Sequence, residues 1–194
     1  MRNALLALAL VSAPALAQAP SNVRVNSGTY QVDSAHTQVV FTLLHLGTSL
    51  YTGQFTQPTG TLTIDVGNPA KDKVDITFPI AKVSTTVPAL DAHLQKPEFF
   101  DAAKFPEGHF VSTKVPIKGT TATITGDLTL RGVTKPVILA TRFVGAGVNP
   151  MSKKTNVGFT ATTTVKRSDF GVSYALPMVG DEVKLTINAA FVAE

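Results

Sequence analysis

The sequence predicts an all-β fold, a sandwich or a closed barrel of roughly eight or nine strands, behind a short export leader. Three observations carry the prediction. Apolar and polar residues alternate with a period of two through most of the chain. Thr and Val dominate those runs, as suits pleated, half-buried strands. Turn residues separate the runs, as in Gly67-Asn68-Pro69 and Lys118-Gly119-Thr120.

The N-terminus reads differently. Met1-Arg2-Asn3 supplies a positive start, Ala4 to Val11 a short apolar run, and Ala15-Leu16-Ala17 a small-x-small cleavage site. The apolar run falls short of the roughly 20 residues a membrane span needs. Residues 1–17 are therefore read as a secretory signal peptide, with Gln18 opening the mature chain. Residues 18–28 are small and polar, a loose leader to one domain over 29–194.

Within that domain Val39, Phe41, Leu43 and His45 share one face. Val74, Ile76, Phe78 and Ile80 form a second set, and Val111, Thr113, Val115 and Ile117 a third. Val137, Leu139, Thr141 and Phe143 follow, then Val157, Phe159, Ala161, Thr163 and Val165. Val183, Leu185, Ile187, Ala189 and Phe191 close the series. Arg131-Gly132 reads as a hairpin connection, and Gly145 to Pro150 as a longer loop. Residues 84–105 break the rhythm: Pro88 suits the first turn of one short helix, and Pro97 with Glu98 the start of a second.

Composition narrows the function. The 194 residues are 44% hydrophobic and 15% charged, which opposes disorder and allows a sizeable core. The absence of cysteine excludes disulfides, thiolate metal sites and cysteine nucleophiles. The net charge of +4 is spread along the chain, with Lys153-Lys154 and Lys166-Arg167 as the pairs, which argues against a nucleic-acid stripe. His36, His45, His93 and His109 form no local zinc pattern, and no cofactor fingerprint, phosphate loop or nucleophile elbow occurs. No metal, no cofactor and no enzymatic activity is expected, the alternatives being an enzyme that works through His45 with Asp91 or Asp127 and a structural protein whose barrel is filled by its own side chains.

What remains is an apolar sheet face. A barrel of about eight strands has room for one small or elongated ligand. His45 is in register with Phe41 and Leu43. It is either a core histidine bonded to a backbone carbonyl or a polar anchor for a ligand. Arg167 ends the register of Val157 and Phe159. It is either exposed at a strand end or turned inward toward an anionic head group. Phe99 and Phe100 either plug one end or line a pocket.

Specific blocks carry a resemblance. They run in order from Tyr30-Gln31-Val32-Asp33-Ser34-Ala35-His36, through Phe41 to Gly47 and Tyr51-Thr52-Gly53-Gln54-Phe55, to Asp91-Ala92-His93-Leu94 and Phe99-Phe100-Asp101. Gly126-Asp127-Leu128-Thr129-Leu130-Arg131-Gly132 and Lys166-Arg167-Ser168-Asp169-Phe170-Gly171 complete them. Together they resemble the YceI-like family of periplasmic polyisoprenoid-binding proteins, over about Tyr30 to Phe191. The resemblance implies a lipocalin-like, extended antiparallel β-barrel of roughly eight strands with short helices inserted around residues 86–104. It also implies an amphipathic isoprenoid-type lipid, an isoprenoid quinone or a polyprenyl phosphate, in the interior. The expected wall and head-group residues are Phe41, Leu43, His45, Phe55, Phe99, Phe100, Val157, Phe159 and Arg167. Transient membrane contact and a homodimer through edge strands are left open.

If the leader reading is right, protein recovered from the secretory compartment has the intact mass of a chain starting at Gln18. Retention of residues 1–17 in that fraction contradicts it.

Overall fold

A computed structural model describes residues 23–194; the segment read as a signal peptide and the first part of the loose leader lie outside the described residues. Twelve strands follow one another: β1 (Gly28–Val32), β2 (Gln38–His45), β3 (Ser49–Phe55), β4 (Thr59–Ile64), β5 (Lys73–Pro79), β6 (Val83–Ser84), β7 (Glu107–Lys114), β8 (Ile117–Lys118), β9 (Thr121–Leu130), β10 (Val133–Val148), β11 (Thr155–Lys166) and β12 (Glu182–Ala193). Among the described residues one helix, α1 (Pro88–Leu94), and three 3-10 turns interrupt them.

Pairing is antiparallel throughout, in the order β1-β4-β5-β7-β9-β10-β11-β12, and β1 returns to β12 through Tyr30 opposite Ala193. That return closes an eight-stranded barrel. The same edge of β12 serves two neighbours. Residues 191–193 pair with β1, while residues 184–188 pair with β2, which continues the wall through β3 to β6. The barrel therefore has an upper end, with the β2–β3 hairpin and α1, and a lower end, with β1 and the tip between β10 and β11.

Three local expectations are corrected. Val111 and Thr113 do not share the inward face of Val115 and Ile117: Phe110 faces the interior of β7, and a bulge between Ser112 and Lys114 shifts the register before Val115. Residues 97–104 form successive turns rather than a second helix. Phe100 N–H donates back to Leu94 O, Ala102 N–H to Gln95 O, and Asp101 takes a left-handed φ of 50°, which a continuing helix cannot contain. Residues 145–148 belong to β10 instead of a loop. A bulge between Phe143 and Gly145 resets the register, after which Gly145 to Val148 pair with Gly158 to Thr155. Pairing thus overrides the low strand preference of the two glycines. The Arg131-Gly132 connection forms as expected, with φ of 51° and 74°, the left-handed pair of a tight hairpin.

Two apolar clusters occupy the interior. The larger joins Phe41, Phe55, Phe78, Ile80, Phe110, Leu128 and Phe170. The smaller closes the lower end around Tyr30, Leu62, Ala146, Val157 and Phe191, with Val23 and Val25 against it. The inward phenylalanines follow a pattern. Phe41 lies opposite Gly53, and Phe78 opposite Gly108. A Cβ at either glycine would overlap the ring, and one at Gly126 would overlap Phe110. Each ring thus lies along the wall over a glycine backbone instead of projecting into the lumen.

Gly108→Ala is expected to force the Phe78 ring inward and cost about 1–3 kcal/mol in denaturant unfolding. Unchanged or raised stability, the usual result of Gly→Ala in a strand, contradicts the ring-on-glycine account.

Candidate functional site

Inward parity places Val39, Phe41, Leu43 and His45 of β2 on the wall of one elongated cavity of ≈ 630 Å³. Phe159, Ala161, Thr163 and Val165 of β11 and Leu185 and Ile187 of β12 line it beside them, Leu185 directly opposite Phe41 and Ile187 opposite Val39 in the strand pairing. Leu43, Val165, Leu185 and Ile187 point inward yet are only partly buried. The interior of this barrel is therefore not filled by its own side chains. The volume lies within the roughly 300–1,000 Å³ of small-molecule sites.

Aromatic contacts organise the wall. Phe55 sits centrally, its ring 5.6 Å from Phe41, 4.9 Å from Phe78 and 5.6 Å from Phe100. Lower down, Phe159 packs 5.4 Å from Phe143 and 6.1 Å from Phe191. At the upper end His93, Phe99 and Tyr174 form a triangle with centroid separations of 5.0, 5.7 and 5.1 Å. His45 and Tyr51 stand 6.2 Å apart on the neighbouring hairpin. The upper mouth is thus a collar of rings with polar tips. His93 is held by Glu98 at 3.0 Å, and α1 by Asp91, whose Oδ1 accepts from Thr85 N–H and Oγ1–H, each at 2.6 Å.

Arg167 is not exposed at its strand end but turned inward, and most of its donors go to backbone carbonyls. It is 7% exposed and lines the cavity, but its guanidinium is directed at the 172–180 loop. Nε–H donates to Gly180 O at 2.8 Å, Nη1 to Val172 O and Tyr174 O at 2.9 Å, and Nη2 to Val179 O at 2.7 Å. Four of five N–H donors are engaged, so at most one faces a ligand. Burial lowers the guanidinium pKa, and Asp181 opposes that shift. Burial also raises Asp181, but hydrogen bonds from Ser168 Oγ–H (2.7 Å) and N–H (2.9 Å) and the nearby Arg167 and Lys166 charges outweigh it and hold the carboxyl below its ordinary value. Arg167 is a clasp that shapes the mouth.

Eight of the nine expected site residues line the cavity: Phe41, Leu43, His45, Phe55, Phe99, Phe100, Phe159 and Arg167. Val157 shares their face, but at 1% exposure it is packed into the lower cluster and does not reach the cavity. Asp127 points outward and is exposed. Tyr51, His93 and Tyr174 complete the mouth without having been expected there. Tyr51 could have been found, since it pairs with Leu43 across the hairpin. Tyr174 sits in a loop without periodicity, so no sequence signal marks it. Among the described residues no group of three or more His, Asp or Glu is arranged to hold a metal ion.

Comparison with known proteins agrees with this architecture. The YceI-like domain model matches residues 30–191. The chain belongs to the YceI-like family. This YceI-like chain is 40% identical over 161 residues to Protein YceI of Escherichia coli O17:K52:H18, covering 82% of this chain and 84% of that protein. Protein YceI of Salmonella arizonae shows the same identity and coverage. Among solved structures, the YceI protein of Campylobacter jejuni has a TM-score of 0.69 at 29% identity, over 78% of this chain and 90% of its own. BcnA of Burkholderia cenocepacia has a TM-score of 0.73 at 22% identity, over 82% and 98%. A polyisoprenoid binding domain from Saccharophagus degradans has a TM-score of 0.66 at 12% identity, over 85% and 98%. The last two share the fold.

Arg167→Lys is expected to cost about 2–4 kcal/mol, because a lysine cannot serve four carbonyls in a planar fork and leaves several buried acceptors unpaired. Thermal unfolding checks this, with the exposed neighbour variant Lys166→Ala expected to stay within about 0.5 kcal/mol. Equal stabilities for the two variants contradict the clasp.

Proposed function

We propose that this chain binds a long amphipathic lipid, of the isoprenoid quinone or polyprenyl phosphate class, in its barrel for carriage, storage or sequestration in the periplasm, without catalysing a reaction. The unfilled apolar lumen carries this reading. Family membership and the fold shared with a polyisoprenoid binding domain support the ligand class.

The physics is adequate. Each buried methylene contributes about 0.8 kcal/mol, so a tail of many carbons is held without a strong polar contact. The lumen suits an elongated guest: along β10 it runs past Val137, Leu139, Thr141 and Phe143, about 20 Å at ~3.3 Å per residue. The head group then sits at the upper collar. His45 is the anchor there: its ring contacts Tyr51, and no hydrogen bond joins its ring nitrogens to another described residue. Arg167 contributes its positive charge from behind the collar rather than a direct fork.

Loading from detergent with an isoprenoid quinone tests the assignment. Phe41→Asn and Phe159→Asn, compared as folded protein by circular dichroism, are expected to retain at least about tenfold less quinone, a change of roughly 1.4 kcal/mol. His45→Ala is expected to alter the preference between quinone and polyprenyl phosphate while keeping the tail bound. Wild-type quinone retention in both phenylalanine variants contradicts the pocket.

A further inference from the structure

The outer surface around the upper mouth is apolar in a way the barrel's folding does not require. Leu44, Leu46, Leu50 and Met178 are 46%, 57%, 73% and 60% exposed, and Tyr174 is 49% exposed. They form one rim. Leu44 and Leu50 are direct cross-strand partners on the outer face of the β2–β3 hairpin. Leu46 N–H donates to Met178 O, and Gly180 N–H to Leu44 O, which binds the 172–180 loop to the hairpin. The rim is continuous with the lumen, because His45, Tyr51, Tyr174 and Val179 line the cavity from between these same segments.

Two further features single the rim out. No Asp, Glu, Lys or Arg occurs from Ser34 to Ile64 or from Val172 to Gly180, so the rim residues come from two uncharged stretches. The lower end contrasts with it. Apolar side chains are exposed there too, at Val66, Ile117, Val148 and Met151, but Lys71, Lys73, Lys114, Lys118, Lys153 and Lys154 stand among them on the same turns and strand ends. Leu46 itself adopts a left-handed φ of 52°, next to Gly47 at 70°. Asn-Gly is the favoured pair for such a turn, and leucine is a costly choice there. Neither turn geometry nor solubility calls for an exposed leucine at that tip.

We infer that the upper rim is a bilayer-docking surface, through which Leu46, Leu50 and Met178 enter the outer hydrocarbon of a lipid membrane and set the mouth against it. The inference rests on the lipid-carrier reading and gives it a route. A ligand of that class resides in a lipid phase, and the apolar rim on the β2–β3 and 172–180 side of the entrance, opposite the Lys96 and Glu98 charges beside α1, lets it pass from bilayer to lumen without crossing water. Apolar atoms enter hydrocarbon at no electrostatic cost, whereas each charge in such a rim would oppose entry. The tyrosine and histidine tips of the collar then lie at head-group depth, where amphipathic rings are favoured.

The chain contains no tryptophan, so a single introduced one reports without background. Leu50→Trp is mixed with neutral phosphatidylcholine vesicles, with Met151→Trp at the lower tip as the control. The expected result is a blue-shifted emission for Leu50→Trp, quenched by brominated acyl chains and unchanged in 0.5 M salt, since exposed charge attraction is screened at that ionic strength. Met151→Trp should not respond. Leu46→Asn improves the turn, so it should keep or raise stability while weakening vesicle partition at least threefold. The combined variant Leu46→Asn with Leu50→Asp and Met178→Asp should load quinone from detergent like the wild type but take it from vesicles at least tenfold more slowly. Silence of Leu50→Trp overturns the inference, as does an equal response at Met151→Trp or binding seen only with anionic vesicles and lost in salt. Concentration-dependent burial of Leu50→Trp without vesicles overturns it in favour of a second copy of this chain. A wild-type protein that loads quinone by neither route overturns the carrier reading, and the vesicle response of Leu50→Trp still decides the docking surface by itself.

Discussion

An apolar cavity has to stay open in a molecule that gains stability by closing its cavities, and the rest of this structure turns on that constraint. Side chains pack protein interiors densely, and a void forfeits their dispersion contacts. Here the barrel limits the loss by laying aromatic mass along the wall. Phe41, Phe78 and Phe110 each rest where the neighbouring strand presents glycine at Gly53, Gly108 and Gly126. The rings stay buried, the core cluster stays continuous, and the lumen inside the barrel wall remains free. A side chain at any of those glycines would move a ring into the space a ligand needs.

The two ends of the barrel meet the same constraint differently. The lower end is floored by tightly packed Tyr30, Leu62, Val157 and Phe191 and carries lysines on its surrounding turns. The upper end is closed only by a collar, held in place by buried polar contacts. Arg167 gathers four carbonyls of the 172–180 loop, and Asp91 fastens α1 to Thr85. A buried charge is expensive unless its donors are satisfied, and this one gives four of its five donors to backbone carbonyls with the Asp181 charge nearby. The loop consequently keeps its shape without an apolar core of its own, which leaves Tyr174 and Val179 free to line the mouth.

Much of this was legible from parity. Alternation identified β2, β11 and β12, and with them Phe41, Leu43, His45 and Phe159 on the wall, because a strand shows its two faces at a fixed period. Parity could not say how deep each residue lies, so Val157 was expected on the wall and is in the floor. Arg167 was read as exposed or ligand-facing, since its partners are backbone carbonyls 5 to 13 residues away in a loop with no periodic signal. The second helix expected at Pro97 and the loop expected at Gly145 failed for the same physical reason. In both places other backbone partners overrode local preference, the nearby Leu94 and Gln95 carbonyls in one and strand β11 in the other. The ligand class came from the resemblance, because apolar walls accept many tails and do not name one.

The central claim is that the lumen is a lipid site rather than a packing defect. Native mass spectrometry with solvent extraction, on protein taken from its own secretory compartment, tests it most directly. The expected result is a co-purifying lipid of defined mass, with an isoprenoid tail, in stoichiometric amount. Protein that arrives empty, and stays empty when offered isoprenoid quinones and polyprenyl phosphates, contradicts the claim.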